Sequence, residues 1–152
     1  MERHAYCTIS HGTRGDVQPF AILGQALRMR EHRVILSTSK NFKSLVQSYD
    51  LDFIPIENDY EELLNSEEGR KLLKANPFAI KRNLRTYIYP LVQKSLQQFY
   101  VIAKASDCVV YHTKTMVNAF ADTMPDKMIM AMMVSAIEPT KYFPNPFIEN
   151  SY

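Results

Sequence analysis

The stretch from His4 to Leu27, H-A-Y-C-T-I-S-H-G-T-R-G-D-V-Q-P-F-A-I-L-G-Q-A-L, decides the fold. His4 to Ser10 is a short β-rich run that breaks at His11-Gly12-Thr13-Arg14-Gly15-Asp16, where two glycines permit backbone angles other residues avoid. Pro19 suits the first turn of a helix, where its missing N–H is not needed. Phe20, Leu23 and Leu27, with Ile22, Ala26 and Met29, then give an apolar helical stripe through about Arg30. The opening unit is strand, glycine loop, helix.

The unit repeats outward. Arg33 to Thr38 reads as a second strand, Asn41 as the cap of a helix carrying Phe42, Leu45 and Val46, and Leu51 to Ile56 as a third strand. From Pro77 to Ala105 apolar residues keep three- and four-residue spacing, which predicts one long amphipathic helix bent at Pro90. Asp107 to Tyr111 is a fourth strand, Thr115 to Ala121 a short helix, and Lys127 to Val134 a methionine-rich fifth strand. Single helices between strands imply parallel pairing. The expected fold is therefore α/β, a Rossmann-like parallel sheet of at least five strands in the order 3-2-1-4-5, flanked by helices. Residues 1–138 form that domain. Pro139, Pro144 and Pro146 forbid regular structure in 139–152, a proline-rich segment that looks like an interdomain connection cut short.

Composition narrows the function classes. With 152 residues, 46% hydrophobic and 22% charged, the chain buries roughly 70% of its unfolded surface and supports one domain. A net charge of +2 is too small to attract nucleic acid by bulk electrostatics. Met128 to Ile137, the most apolar stretch, is about half the roughly 20 residues of a bilayer-crossing helix, and the first residues have neither an apolar core nor a small-residue cleavage site. Cys7 and Cys108 sit in apolar strand-like segments with no metal-ligand spacing around them, as buried thiols do in a reducing compartment. A cytoplasmic protein is expected, and no metal site, since His4, His11, His32 and His112 show no clustered spacing either.

The glycine loop carries the chemistry. A G-x-x-G step between strand and helix leaves backbone N–H groups free to face an anion, and Asp16 stands at the carboxyl edge of the sheet, where open α/β folds bind ligands. The loop is not G-x-G-x-x-G and no acid ends the second strand, which argues against a nicotinamide-dependent oxidoreductase. On loop chemistry alone, a ligand site and an Asp16 that merely caps its helix are equally good readings.

Gly12-Thr13-Arg14-Gly15-Asp16-Val17-Gln18-Pro19-Phe20, followed by an aliphatic helix containing Gly24, resembles the start of the sterol and glycopeptide glycosyltransferases, with their G-[ST]-R-G-D-V-x-P pattern. The likeness continues through Glu31-His32-Arg33-Val34, where Glu31 replaces the usual glycine, and through Phe53-x-Pro55-Ile56; it resumes weakly at Asp107 to Tyr111, Pro139-Thr140 and Phe143-Pro144. It implies the acceptor-binding half of a GT-B fold, a family 28 N-terminal-like domain whose partner half binds the nucleotide sugar. It further implies an inverting, UDP-sugar-dependent transfer to a lipid or sterol-like hydroxyl, with UDP-sugar as a substrate and no cofactor. The general base carried over is Asp16. Gly12, Thr13, Arg14 and Gly15 would contact the acceptor or the donor phosphates, Arg14 being equally readable as a structural ion pair. His11 and His112 are further candidates for the cleft wall, whereas His4 and His32 read as structural. The histidine- and glycine-rich donor motif of that family is not found in these residues. The chain is expected to be inactive alone, and the rival reading is a non-catalytic or partner-dependent domain that binds an acceptor or a separately encoded donor-binding subunit. An uncovered cleft wall would favour self-association.

Two further features remain. Residues 57–68 hold six acids and no base, while 69–85 hold six bases and no acid. The plain reading is a pair of solvated helical faces. The functional one is peripheral contact with anionic membrane through Lys71, Lys74, Lys81, Arg82 and Arg85, flanked by Phe78, Tyr87 and Tyr89. Met128, Met130, Met132 and Met133 are expected to pack in a strand buried on both faces.

Overall fold

Strands with β-branched and aromatic residues on both faces need cover above and below, and the chain supplies it from two sides. The computed structural model describes residues 2–57, 66–67, 69–70 and 77–131. Strands β1 (Ala5–Ile9), β2 (Arg33–Thr38), β3 (Asp52–Pro55), β4 (Cys108–His112) and β5 (Met128–Ala131) form one sheet in the order β3-β2-β1-β4-β5, with every pairing parallel. That is the order expected from the alternation of elements. The α-helices fully described are α1 (Arg14–Arg28), α2 (Lys43–Ser48), α3 (Pro77–Asn83), α4 (Tyr89–Lys104) and the single turn α5 (Asn118–Ala121).

Because successive strand residues point to opposite faces, β1 and β4 divide their side chains between two cores. Cys7, Ile9, Val109 and Tyr111 pack with Phe99, Ile102 and Ala103 of α4 on one face. Val34, Leu36 and Val110 pack with Val17, Phe20 and Ala21 of α1 and Val46 of α2 on the other. Phe20 and Phe99 anchor the two layers, and burying each contributes roughly 1.5–3 kcal/mol. Helix α1 lies close against the sheet because Gly24 has no side chain: a Cβ there would stand 2.8 Å from Leu51 Cδ1 and 3.2 Å from Val34 Cγ1.

Several expectations need correction. Helix α1 begins at Arg14, with Thr13 as N-cap, so Pro19 lies inside the helix rather than in its first turn. Its buried stripe is Val17, Phe20, Ala21 and Gly24, while Ile22 and Met29 are exposed. The following connection starts as a 3-10 turn at Lys40–Phe42 behind Ser39, so Asn41 lies within the turn and caps nothing. The long helix is interrupted ahead of Pro90 by a π-turn at Leu84–Ile88, in which Tyr89 N–H donates to the Leu84 carbonyl five residues back. Pro90 can neither donate to the Thr86 carbonyl nor pack its ring against it, and the wider turn relieves both problems. The short helix is split into a 3-10 turn, Thr113–Thr115, and α5.

The fifth strand is not buried on both faces: among the described residues only β4 pairs with it, and Ile129 and Met130 are exposed. Met132, Met133 and the segment 139–152 lie outside the described residues.

The ends of α1 and α2, which return the chain to β2 and β3, use left-handed residues that are not glycine. Glu31 (φ 66°) and Asp50 (φ 59°) occupy the C′ positions of Schellman turns. In these turns His32 N–H reaches the Leu27 carbonyl and Leu51 N–H that of Val46. His32 is buried and structural, accepting His4 N–H on Nδ1 at 3.3 Å and packing its ring on Tyr6.

Candidate active site at the carboxyl edge of the sheet

In the order 3-2-1-4-5, the chain leaves β1 toward one flank of the sheet and β4 toward the other. The two connections diverge and open a crevice at the carboxyl ends of these adjacent strands. Asp16 arrives there from β1 through the glycine loop; His112 and Lys114 arrive from the end of β4.

The glycine loop aims the carboxylate. Gly12 has φ +124°, a conformation closed to residues with a side chain, and a Cβ added there would fall on Asp16 Oδ2. Asp16 is the third residue of α1 and its carboxylate forms one half of a capping box. Oδ2 accepts Thr13 N–H at 2.7 Å and the Thr13 hydroxyl at 3.0 Å. The buried Ser10 hydroxyl donates to the Asp16 carbonyl at 2.8 Å, fixing the backbone behind it. Gly15 differs from Gly12: its φ is not positive, and a Cβ there would meet only Thr13 Oγ1, at 3.6 Å. Of the two glycines, only Gly12 is required by the turn.

The other oxygen faces β4. Lys114 Nζ donates to Asp16 Oδ1 at 2.8 Å, and His112 Nε2 stands 3.7 Å from the same oxygen. His112 is buried against Phe20, and its Nδ1 accepts the Lys114 backbone N–H at 3.1 Å. A ring nitrogen that accepts cannot carry the proton, so neutral His112 holds it on Nε2, toward Asp16. Burial alone would push the Asp16 carboxyl up. The hydrogen bond from Lys114, the two from Thr13 and the lysine charge outweigh that and hold it below its ordinary value. The resting site is thus an ionised, almost fully coordinated carboxylate whose side chain is only 12% exposed.

Gly12, Thr13, Asp16 and His112 are therefore brought together. Arg14 does not join the cluster: it is exposed at the first turn of α1, and its Nε donates to Gln18 Oε1 at 3.2 Å. His11 is buried at the end of β1. Lys114 is the residue that reading the sequence missed. It lies 98 positions from Asp16 and no motif contains it, but the predicted strand order already put the end of β4 beside the loop after β1. No three His, Cys, Asp or Glu side chains among the described residues cluster as a metal site requires.

A cavity of about 850 Å³ opens at the opposite, amino edge of the sheet, lined in part by Arg3, Arg28, Arg33, Asp52 and Asp107. Its charges already answer one another or the backbone: Arg28 lies 2.6 Å from Asp50, Arg33 3.7 Å from Asp52, and Asp107 accepts Ala5 N–H at 2.7 Å. The convergent chemistry is at the carboxyl edge.

The sequence profile of the glycosyltransferase family 28 N-terminal domain matches residues 7–125, which include the glycine loop, Asp16, His112 and Lys114. The chain belongs to that family. Among similar proteins, the sterol 3-beta-glucosyltransferase UGT80A2 of Arabidopsis thaliana is 38% identical over 85 residues, 53% of this chain and 13% of that protein. The O-mycaminosyltylonolide 6-deoxyallosyltransferase of Streptomyces fradiae is 28% identical over 118 residues, 75% of this chain and 28% of that protein. The glycosyltransferase SsfS6 of Streptomyces sp. SF2575 superposes with a TM-score of 0.58 at 22% identity, over 86% of this chain and 39% of that one. This family 28 domain has the Rossmann-like fold of one GT-B half, and it spans well under half the length of each of these relatives.

Proposed function

We propose that this chain is the acceptor-binding half of an inverting glycosyltransferase and that Asp16 is its general base. The observation that carries the reading is the carboxylate itself, buried at the topological switch point with one oxygen held by Thr13 and the other facing the end of β4, where Lys114 pairs with it. In the reaction, the acceptor hydroxyl oxygen bonds to the anomeric carbon. The bond from that carbon to the donor phosphate breaks, its electron pair leaves with the nucleoside diphosphate, and the hydroxyl proton passes to Asp16 Oδ1. Thr13 holds the carboxylate in place and is a positioning residue.

The donor is proposed to be a UDP-sugar. Among the structural neighbours, SsfS6 has been seen with thymidine diphosphate and TcCGT1 with UDP, which supports a nucleoside diphosphate donor. A lipid or sterol-like acceptor follows from the likeness to sterol 3-beta-glucosyltransferases. Residues 1–138 form the acceptor domain and 139–152 the connection to a donor-binding half, on the same chain or a separate one. Met116 and Met130, exposed beside the ends of β4 and β5, offer apolar surface for that half to cover, and for self-association without it.

The outer face of α3 and the π-turn suits a lipid acceptor. Phe78, Lys81, Arg82, Arg85 and Tyr89 are all exposed, and no acid occurs between Pro77 and Lys104. Such a face meets an anionic membrane with charge and aromatic rings together. Lys71 and Lys74 lie outside the described residues. No helix among the described residues is long and apolar enough to cross a membrane.

The test is Asp16→Asn in an assembly that includes the donor-binding half. The amide keeps the shape but cannot take the proton, so turnover falls by about two orders of magnitude or more with the fold intact. Thr13→Ala costs less, because it removes a hydrogen bond and leaves the proton acceptor. Near-normal turnover of Asp16→Asn would remove Asp16 as the base.

A further inference from the structure

We infer that Lys114 is a positioning residue that clamps the reactive oxygen of Asp16 and must yield it to the acceptor; the inference rests on Asp16 being the base. Its grounds are the unequal occupation of the two carboxylate oxygens. Oδ2 is held by two donors from Thr13, one of them a backbone N–H that cannot leave without unwinding the start of α1. Oδ1 is held by Lys114 Nζ at 2.8 Å, at the end of a long, unbranched side chain that is 42% exposed. A further polar neighbour, His112 Nε2, is 3.7 Å away on a buried ring packed at a tilt against Phe20.

An incoming hydroxyl therefore has one oxygen to approach, and the ammonium group occupies it. The two arrangements also differ in chemistry. While Lys114 is bound, a proton on Oδ1 would place a carboxylic acid against an ammonium ion and sacrifice a charge-assisted hydrogen bond, so the carboxylate is ionised but a poor acceptor. Once the hydroxyl displaces Nζ, that penalty lifts and the same oxygen takes the proton readily. The clamp thus keeps the base in its unprotonated form and correct rotamer while the crevice is empty, and releases its basicity when an acceptor arrives. Among the described residues, the groups seen to bear on Asp16 are Lys114 and His112 from the β4 end and the Thr13 donors at the start of its own helix; His11 lies next to the loop at the end of β1.

The experiment needs no substrate. In the chain labelled with 13C at aspartate carboxyls, the Asp16 signal is assigned by its loss in Asp16→Asn and followed against pH in wild type, Lys114→Gln and Lys114→Arg. The expected result is an upward move of the Asp16 midpoint in Lys114→Gln and recovery of the wild-type midpoint in Lys114→Arg, with amide spectra showing the same fold throughout. A general loss of packing would not be rescued by arginine. An unmoved midpoint in Lys114→Gln, or an equal move in both variants, overturns the clamp. The outcome is separable from that of the catalytic reading: full turnover in Asp16→Asn would remove the base and leave this ion pair standing, whereas an unmoved midpoint would remove the clamp and leave the base.

Discussion

Two glycines sit three residues apart in the same loop, and replacing each by alanine should have opposite effects. At Gly12 the φ of +124° holds an L-residue in a sparsely populated region, at a cost of about 1–3 kcal/mol. The new Cβ also falls on Asp16 Oδ2, so the carboxylate must turn away from Thr13 and Lys114. Losing even one of these charge-assisted hydrogen bonds adds roughly 1.5–3 kcal/mol. Gly12→Ala should therefore lose about 3–5 kcal/mol, a large share of the 5–15 kcal/mol typical of a domain. At Gly15 the backbone is helical and the Cβ meets only Thr13 Oγ1 at 3.6 Å, so alanine fits without strain. There the gain is about 0.4–1 kcal/mol, from reduced freedom of the unfolded chain. Urea unfolding of the two variants measures both. With a slope of roughly 1.5–2 kcal/mol per molar, Gly12→Ala should shift the midpoint down by about 2 M and Gly15→Ala slightly up. Equal midpoints for the two variants, or a Gly12→Ala as stable as wild type, would refute the assignment of the turn and of the Asp16 rotamer together.

Acid stability should report the Asp16 ion pair. Its folded pKa lies below the unfolded one, so its contribution is complete above the ordinary carboxylate range and is lost as pH falls through the lowered folded value; Asp16→Asn should flatten that acid limb, and superimposable limbs would count against the pairing. Glu31→Gly should raise stability by about 0.5–1 kcal/mol in urea unfolding, because the left-handed C′ site suits glycine, while Asp50→Gly should gain less through loss of its contact with Arg28; a destabilised Glu31→Gly would contradict the Schellman geometry. The basic face of α3 should carry the chain down with anionic vesicles at low salt and release it as ionic strength rises, since screening shortens the reach of charge to about 8 Å near physiological salt. Equal sedimentation with neutral vesicles, or none with either, would return Lys81, Arg82 and Arg85 to an ordinary solvated face.

What the sequence determined by itself is local in origin. Strand order followed from the alternation of apolar runs, because parallel strands joined by single helices leave few arrangements, and the loop motif marked Gly12, Thr13 and Asp16 because their bonding closes within four residues. The misreadings have the same root. Pro19 suits a first turn, but the Thr13–Asp16 capping box starts the helix six residues earlier, and a favourable proline does not say which of two possible starts wins; apolar composition at Met130 does not say whether a neighbour covers it on the far side. The state of Asp16 was decided only in three dimensions. A carboxylate in a capping box is an ordinary helix start, and it becomes a buried, clamped group because β4 lies next to β1 and delivers His112 and Lys114 from 96 and 98 residues away. Interactions that close within a turn are written in neighbouring residues, whereas charge, burial and proton affinity depend on whichever distant strand the sheet places alongside.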